Sequence, residues 1–184
     1  FTVDASINSI NIGKGANSVA NNTVLGENAL DASVTGGNNT SIGANTLTLN
    51  TSGGKNVALG SGALSANTTA SNNTAIGYEA MDQNTTGHSN VAVGSQALDA
   101  NTTANNNTAL GYFAASGNTT GANNLAVGFQ ALLVNTTGNQ NTALGSGALD
   151  ANTTANDNTA VGYFAGGGLT SGASNTAVGV RALE

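Results

Sequence analysis

The chain has 184 residues, contains no Pro, Cys or Trp, and carries charge on only 7% of its positions. Nine acidic residues outweigh the three bases Lys14, Lys55 and Arg181, for a formal net charge of −6. A nucleic-acid partner requires a basic surface, and a membrane span requires about 18 consecutive apolar residues, so this sequence argues against both.

The N-terminal segment, residues 1–21, differs from the rest of the chain. It opens with Phe-Thr-Val-Asp, without the basic head and apolar run of a signal peptide, so we expect a mature or excised part of a longer protein. The run Ile10–Gly13 resembles a degenerate copy of the later repeat, although Gly13 and Gly26 are only 13 residues apart. Because terminal repeats of solenoids are often atypical, we expect residues 1–21 to form a cap or lead-in.

Residues 22–184 repeat a 17-residue unit of the form N-T-A-(L/I/V)-G-x-x-A-L-x-x-N-T-T-x-x-x. The glycine of each unit recurs without insertion, at Gly26, Gly43, Gly60, Gly77, Gly94, Gly111, Gly128, Gly145, Gly162 and Gly179. The asparagine that opens each unit lies at Asn22, Asn39, Asn56, Asn73, Asn90, Asn107, Asn124, Asn141, Asn158 and Asn175. A fixed short period of this kind predicts a solenoid.

Two aliphatic columns accompany the repeat. One precedes every glycine, from Leu25 to Val178. The other follows four residues after most glycines and fails at Ala115 and Gly166; it comprises Leu30, Leu47, Leu64, Met81, Leu98, Leu132, Leu149 and Leu183.

The composition of the unit predicts an all-β fold, because Thr, Asn and Gly are weak helix formers and the apolar spacing is not helical. We expect a parallel β-solenoid or β-roll of about ten coils, with two or three short strands per coil. Stacking at about 4.8 Å per coil gives a rod roughly 48 Å long. The Asn column is expected to form hydrogen-bonded ladders and left-handed corners, and the Gly column a second corner.

The strand Thr-Ala-Leu-Gly places neighbouring side chains on opposite faces, so Ala109 and Leu110 cannot both point inward. We expect a narrow coil to have room inside only for small residues such as Ala, and the aliphatic residue before each glycine then lies outside. A stripe of this length should not face water, which predicts packing against another chain. The alternative places the aliphatic residues inside and predicts a monomer.

The repeat resembles the arrays of phage tail fibres, especially those of marine phages, through Asn73 to Gly87 (NTAIGYEAMDQNTTG), Asn124 to Gly138 (NLAVGFQALLVNTTG) and the lead-in Ile7 to Leu30. It is also similar to the head repeats of trimeric autotransporter adhesins, through NVAVG at Asn90–Gly94, although those coils are shorter than 17 residues. Both resemblances imply a homotrimer with a shared apolar centre. They imply a virion-surface or extracellular location and attachment to a host surface.

Few residues suggest chemistry. His88 is the one histidine, so we expect no catalytic site and no cofactor. Asp82 and Asp99 occupy one position of adjacent coils and are the candidates for a calcium site, although solvated exposure is the simpler interpretation. Aromatic residues follow the glycines and are candidate platforms for stacking sugars, with packing as the alternative: Tyr78, Tyr112, Phe113, Phe129, Tyr163 and Phe164.

Three functions compete. The first is a structural and adhesive fibre segment that binds a host-surface glycan. The second is an ice-binding solenoid whose face is built from Thr pairs such as Thr68-Thr69. The opposite orientation of adjacent residues in a strand argues against this function. The third is a glycan-degrading fibre, for which the Asp column would have to supply paired carboxylates.

Overall fold

A computed structural model of the chain describes residues 5–8, 10–32 and 34–184. The described residues form one twelve-stranded sheet in chain order. Its strands are β1 (Ala5–Ile7), β2 (Ile10–Gly13), β3 (Thr23–Gly26), β4 (Thr40–Ile42), β5 (Val57–Leu59), β6 (Thr74–Ile76), β7 (Val91–Val93), β8 (Thr108–Leu110), β9 (Leu125–Val127), β10 (Thr142–Leu144), β11 (Thr159–Val161) and β12 (Thr176–Val178). A short 3₁₀ segment, Ala16–Ser18, lies between β2 and β3.

From β3 onward the strands are parallel and in strict register. Each residue pairs with the residue 17 positions later, as Thr74 with Val91 and Ala75 with Ala92. The prediction of an all-β solenoid with 17-residue coils is therefore confirmed. The regular period places chemically equivalent residues directly above one another along the rod.

The N-terminal strands break this pattern. β1 is antiparallel to β2, and β2 is antiparallel to β3, with Ile12 opposite Leu25. The interpretation of Ile10–Gly13 as a degenerate copy of the repeat is therefore wrong, because a copy would pair in parallel. Residues 1–4 and 9 lie outside the described residues, and the predicted cap boundary at residue 21 stays a prediction.

Each coil contributes one three-residue strand to the sheet, except β3, which has four residues. The expectation of two or three strands per coil is wrong. The other sides of the coil are turns, yet they also bond from coil to coil, as in Leu64 N–H to Ala80 O at 3.1 Å and Thr68 N–H to Thr85 O at 3.0 Å. Left-handed residues inside the turns keep these sides from forming strands, for example Leu64 at φ 52°.

The interior contains both small and large apolar side chains. The strand alanines from Ala58 to Ala177 are buried, which confirms the orientation predicted for them. Leu30, Leu47 and the other members of the second aliphatic column that precede Gly166 are also fully buried. The expectation that only small residues fit inside is wrong, because the turn side of the coil leaves space opposite each strand alanine.

The coil near the C-terminus fills its interior differently. At Gly166, where the aliphatic column fails, a Cβ would lie 2.8 Å from the side chain of Leu149 and 3.3 Å from that of Leu169. Leu169, three residues later, packs against the core instead. Leu169 therefore supplies apolar volume that Gly166 lacks.

Candidate functional site

The outward face of the parallel sheet is a regular apolar surface. Its central column is the aliphatic residue before each glycine: Leu25, Ile42, Leu59, Ile76, Val93, Leu110, Val127, Leu144, Val161 and Val178. All ten are exposed or half-buried; Leu59 is 42% exposed and Leu144 44%. The predicted outward orientation of this column is confirmed.

The same face has no charged side chain. Two residues before each aliphatic residue, the outward position is Thr in seven coils and Val57, Val91 or Leu125 in the other three. We name these two columns together the sheet face. Because β3 to β12 are continuous, the sheet face runs the whole length of the parallel array.

The aromatic residues flank the sheet face just after the glycine corner. Tyr78, Tyr112, Phe129 and Tyr163 are about half exposed. Tyr112 and Phe129, in adjacent coils, stack on each other with ring centroids 5.9 Å apart and planes at 23°. Stacked rings turn faces toward each other, which reduces the ring surface open to a sugar.

The second aromatic of each Tyr-Phe pair is half-buried against the first. Phe113 meets Tyr112 edge-on at 4.3 Å, and Phe164 meets Tyr163 edge-on at 4.7 Å. This packing matches the simpler interpretation of these residues and leaves sugar binding a prediction. Tyr78 stands apart from the others, and its hydrogen bond with the Glu79 carboxylate raises the pKa of the Tyr78 hydroxyl.

The Asn column that opens each unit is buried, and it joins coils through the backbone. In the typical coil, Asn73 Oδ1 accepts the Asn90 N–H at 2.9 Å, and Asn73 Nδ2 donates to Gly87 O at 2.8 Å. The same contacts to the next coil recur at Asn90, Asn107, Asn124 and Asn141. Side-chain to side-chain bonds within this column are confined to its C-terminal part, as between Asn141 and Asn124 at 3.2 Å.

The left-handed corner is not at this asparagine but one residue earlier. Asn72, Asn106 and Lys55 have φ of 63°, 60° and 60°. The expectation that the opening Asn column itself forms the left-handed corner is therefore wrong. The buried amide is held instead by its hydrogen bonds to the neighbouring coils.

A second Asn column forms the continuous amide ladder, and its ladder role was missed from the sequence. Its members are Asn50, Asn67, Asn84, Asn101, Asn118, Asn135 and Asn152, all with 0% exposure. From Asn67 onward, each side-chain Nδ2 donates to the Oδ1 of the asparagine one coil earlier, at 2.7–3.3 Å. The 17-residue spacing was the available signal, since it puts these amides one coil apart. The ladder ends where Leu169 replaces the next asparagine, and Asn152 Oδ1 is left without a partner.

The glycine column makes the corner at the end of each strand. From Gly77 to Gly162 its φ lies between 134° and 141°, a region that L side chains rarely adopt. A Cβ on Gly111 would lie 2.5 Å from the carbonyl oxygen of Gly128 in the next coil. Conformation and close coil stacking therefore both require glycine here. The other members named from the sequence are Gly94, Gly128 and Gly145.

The two candidate calcium residues are in different environments. Asp82 accepts hydrogen bonds from the hydroxyl of Ser65 and the amide of Gln83. Asp99 has a buried Oδ1 without a hydrogen-bond partner, and burial raises the pKa of its carboxyl, with the Asp82 charge adding to the effect. No group of three or more His, Cys, Asp or Glu side chains converges in the described part of the chain. The calcium site stays a prediction.

The Thr pairs lie in bends outside the strands, so the objection from strand alternation does not apply to them. The first Thr of each pair ties neighbouring coils together, as Thr85 Oγ1 donates to Thr102 O at 3.0 Å. The second Thr, such as Thr86 or Thr103, is exposed. His88 is exposed outside the strands and contacts the hydroxyl of Ser89 at 3.2 Å.

The comparisons with known proteins add no relative. A scan against protein-family models, a search of curated proteins and a search of solved structures each found no match. Across residues 5–8, 10–32 and 34–184, no helix has the length and apolar character needed to cross a bilayer. The surface with the clearest functional geometry is therefore the sheet face described above.

Proposed function

We propose that this chain is a structural and adhesive fibre segment, in which several copies pack through the sheet face into a rigid rod for attachment to a host or another surface. The observation that carries the proposal is the sheet face itself: an uncharged aliphatic stripe that runs without a break along ten parallel strands. The resemblance of the repeat to tail-fibre arrays and adhesin heads favours three chains and a virion-surface or extracellular location.

Burial energies support self-association of this face. Full burial of a Leu, Ile or Val is worth about 1.5–3 kcal/mol, so completing the burial of a residue that is about 40% exposed contributes about 1 kcal/mol. The exposed members of the column therefore contribute roughly 5 kcal/mol per chain, and the half-buried members add smaller amounts; the exposed members are Leu25, Leu59, Leu110, Leu144 and Val178. This is comparable with the cost of association, about 4–15 kcal/mol in lost freedom, and the flanking aromatic rings add further apolar area.

The absence of charge on the sheet face has the same consequence. Charged side chains on an exposed face normally oppose packing against other copies, because burying an unpaired charge is costly. Here the acids lie on other sides of the coil, such as Asp82 and Asp99 in the turn after the glycine corner. Copies can therefore approach along the sheet face without burying a charge.

Sedimentation equilibrium of the intact chain tests the proposal. We expect a single species at three times the 17.8 kDa chain mass. The triple variant Leu59→Gln, Leu110→Gln and Leu144→Gln should sediment as a monomer and keep its β-sheet circular dichroism, because these side chains are not part of the core.

A matched control uses exposed apolar residues outside the sheet face. Leu49 is 55% exposed and Val134 40%, and both lie in turns. The double variant Leu49→Gln and Val134→Gln should keep the wild-type mass. A wild-type chain that is monomeric at all concentrations would refute the proposal, and thermal hysteresis from that monomer would support ice binding instead.

A further inference from the structure

A polar cleft of about 400 Å³ opens near the N-terminal end of the parallel array, on the corner that precedes the strands. Its lining includes Gly37, Asn38, Ser52, Gly54 and Lys55. The volume falls within the range of about 300–1,000 Å³ common for small-molecule sites. The lining offers hydroxyls, amides, backbone groups and one ammonium, and no aromatic or large aliphatic side chain. Such a lining suits a polyhydroxylated ligand better than an apolar one.

The lining of the cleft carries a single charge, and that charge is positive. Because the coils are stacked in chain order, residues that are close in sequence lie at similar positions along the rod. Residues 32–78 contain a single charged side chain, Lys55, although the whole chain carries a net charge of −6. In the described part of the chain, the salt bridge joins Arg181 and Glu184 in the last coil. It does not involve Lys55. Among the lining residues, the charge that an approaching anion meets is therefore the Lys55 ammonium.

The cleft exists because two successive coils have glycine where other coils have a side chain. In four of those coils a Ser or Asn side chain accepts the backbone N–H of the equivalent residue in the coil before it. Ser71 Oγ accepts the Gly54 N–H at 3.0 Å, and Asn105 Oδ1 accepts the His88 N–H at 2.8 Å. The Gly37 N–H has no such acceptor, because residue 54 is a glycine. Beside Lys55, the Gly37 N–H is a second donor for an anionic or hydroxyl oxygen.

Lys55 itself departs from the composition of its column. Equivalent positions hold Asn38, Asn72, Ser89 and Asn106, and all of these residues have left-handed φ between 60° and 63°. Asn favours that conformation more than Lys does, so local backbone preference does not account for a lysine here. A residue type that is unfavourable for its local backbone conformation points to a functional role rather than a structural one.

We propose that this cleft binds an anionic sugar, with the Lys55 ammonium contacting its carboxylate or sulfate group. The Gly37 N–H, the Asn38 amide and the Ser52 hydroxyl supply hydrogen bonds to the sugar oxygens. The inference rests on the proposed attachment function, because it specifies the class of surface ligand that the rod would hold.

Isothermal titration calorimetry of the full chain in about 0.1 M salt tests the site with three probes. These are oligogalacturonate for a carboxylated sugar, oligomeric dextran sulfate for a sulfated one, and a neutral dextran oligomer. We expect one of the two anionic probes to bind and the neutral probe not to bind. Lys55→Asn should weaken that binding about tenfold, the loss expected for one charge-assisted contact, and Lys55→Arg should retain most of it.

Arg181→Asn is the matched control, because it removes the same charge from another left-handed residue, at φ 53°, in the last coil. Its affinity should stay within about twofold of wild type, since charges more than about 10 Å apart are screened in 0.1 M salt. Unchanged affinity in Lys55→Asn, equal binding of all three probes, or binding of none would overturn the inference.

The same proteins separate this inference from the proposed function. Lys55→Asn should sediment with the wild-type mass, because Lys55 lies outside the sheet face. An oligomeric chain that binds no anionic probe would refute sugar binding in the cleft but not the fibre function. A monomeric chain that binds oligogalacturonate only when Lys55 is present would refute the fibre function but not sugar binding in the cleft.

Discussion

The buried amide ladder gives a sharp test of what holds the coils together. Asn101 lies in the middle of it with 0% exposure. Its Nδ2 donates to Asn84 Oδ1 at 2.8 Å and to Ala104 O at 3.2 Å, and its Oδ1 accepts from Asn118 Nδ2 at 3.3 Å. We expect Asn101→Ala to be strongly destabilising although it removes only a small polar group.

The magnitude follows from the partners left behind. Asn84 Oδ1 loses its ladder donor, and a buried polar atom without a partner costs about 1–3 kcal/mol. Asn118 Nδ2 loses one of two bonds, at about 1 kcal/mol, because it still donates to Gly121 O at 2.9 Å. Ala104 O keeps the Asn90 Nδ2 donor at 2.8 Å and adds little. The expected loss of unfolding free energy is therefore roughly 2–4 kcal/mol.

Urea unfolding followed by circular dichroism measures this loss, and two further variants serve as comparisons. Asn152→Ala should cost clearly less than Asn101→Ala, because Asn152 Oδ1 already lacks a partner and the substitution removes that unsatisfied atom. Thr103→Ala changes an exposed neighbour of Asn101 and should stay within about 0.5 kcal/mol of wild type. If Asn101→Ala cost no more than Asn152→Ala, the side-chain bonds of the ladder would not be what stabilises the stacked coils.

Two further predictions concern single positions. Gly111→Ala should lower the unfolding free energy by at least about 2–3 kcal/mol, because φ is 139° and the new Cβ would lie 2.5 Å from Gly128 O; a wild-type urea midpoint would contradict the close stacking of these corners. Burial first, then the Asp82 and Glu79 charges, raise the pKa of the Asp99 carboxyl in the folded chain. The stability from this raised pKa is complete below the unfolded value of about 3.9 and is lost as pH rises through the folded value. Asp99→Asn should therefore raise the melting temperature at pH 7 and reduce the gain on acidification, and an unchanged melting profile would argue against a buried charge.

Much of the vertical organisation could be predicted from the sequence. The 17-residue period determines which residues lie above one another, so the parallel register follows directly from it. Alternation within Thr-Ala-Leu placed Ala109 inside and Leu110 outside, as the structure has them. The sheet face, the main candidate site, could therefore be predicted from the sequence alone.

The path of each coil could not be predicted in the same way. Met81 and Leu98 adopt left-handed φ of 51°, which is unusual for these residue types, and these turns make room in the interior for the second aliphatic column. No local preference encodes such a conformation, because it is stabilised by burial and by hydrogen bonds to the neighbouring coils. The number of strands per coil and the size of the interior were misjudged for this reason.

The cleft beside Lys55 could not be predicted from the sequence for the same reason. The sequence by itself determined the period, the strand, its two faces and the vertical neighbours of every residue, because these depend only on spacing and alternation. Tertiary structure alone decided which turn residues of one coil come together, which asparagines bond through side chains, and where two missing side chains open a polar cleft. Those features depend on backbone dihedral angles that only the stacked array stabilises.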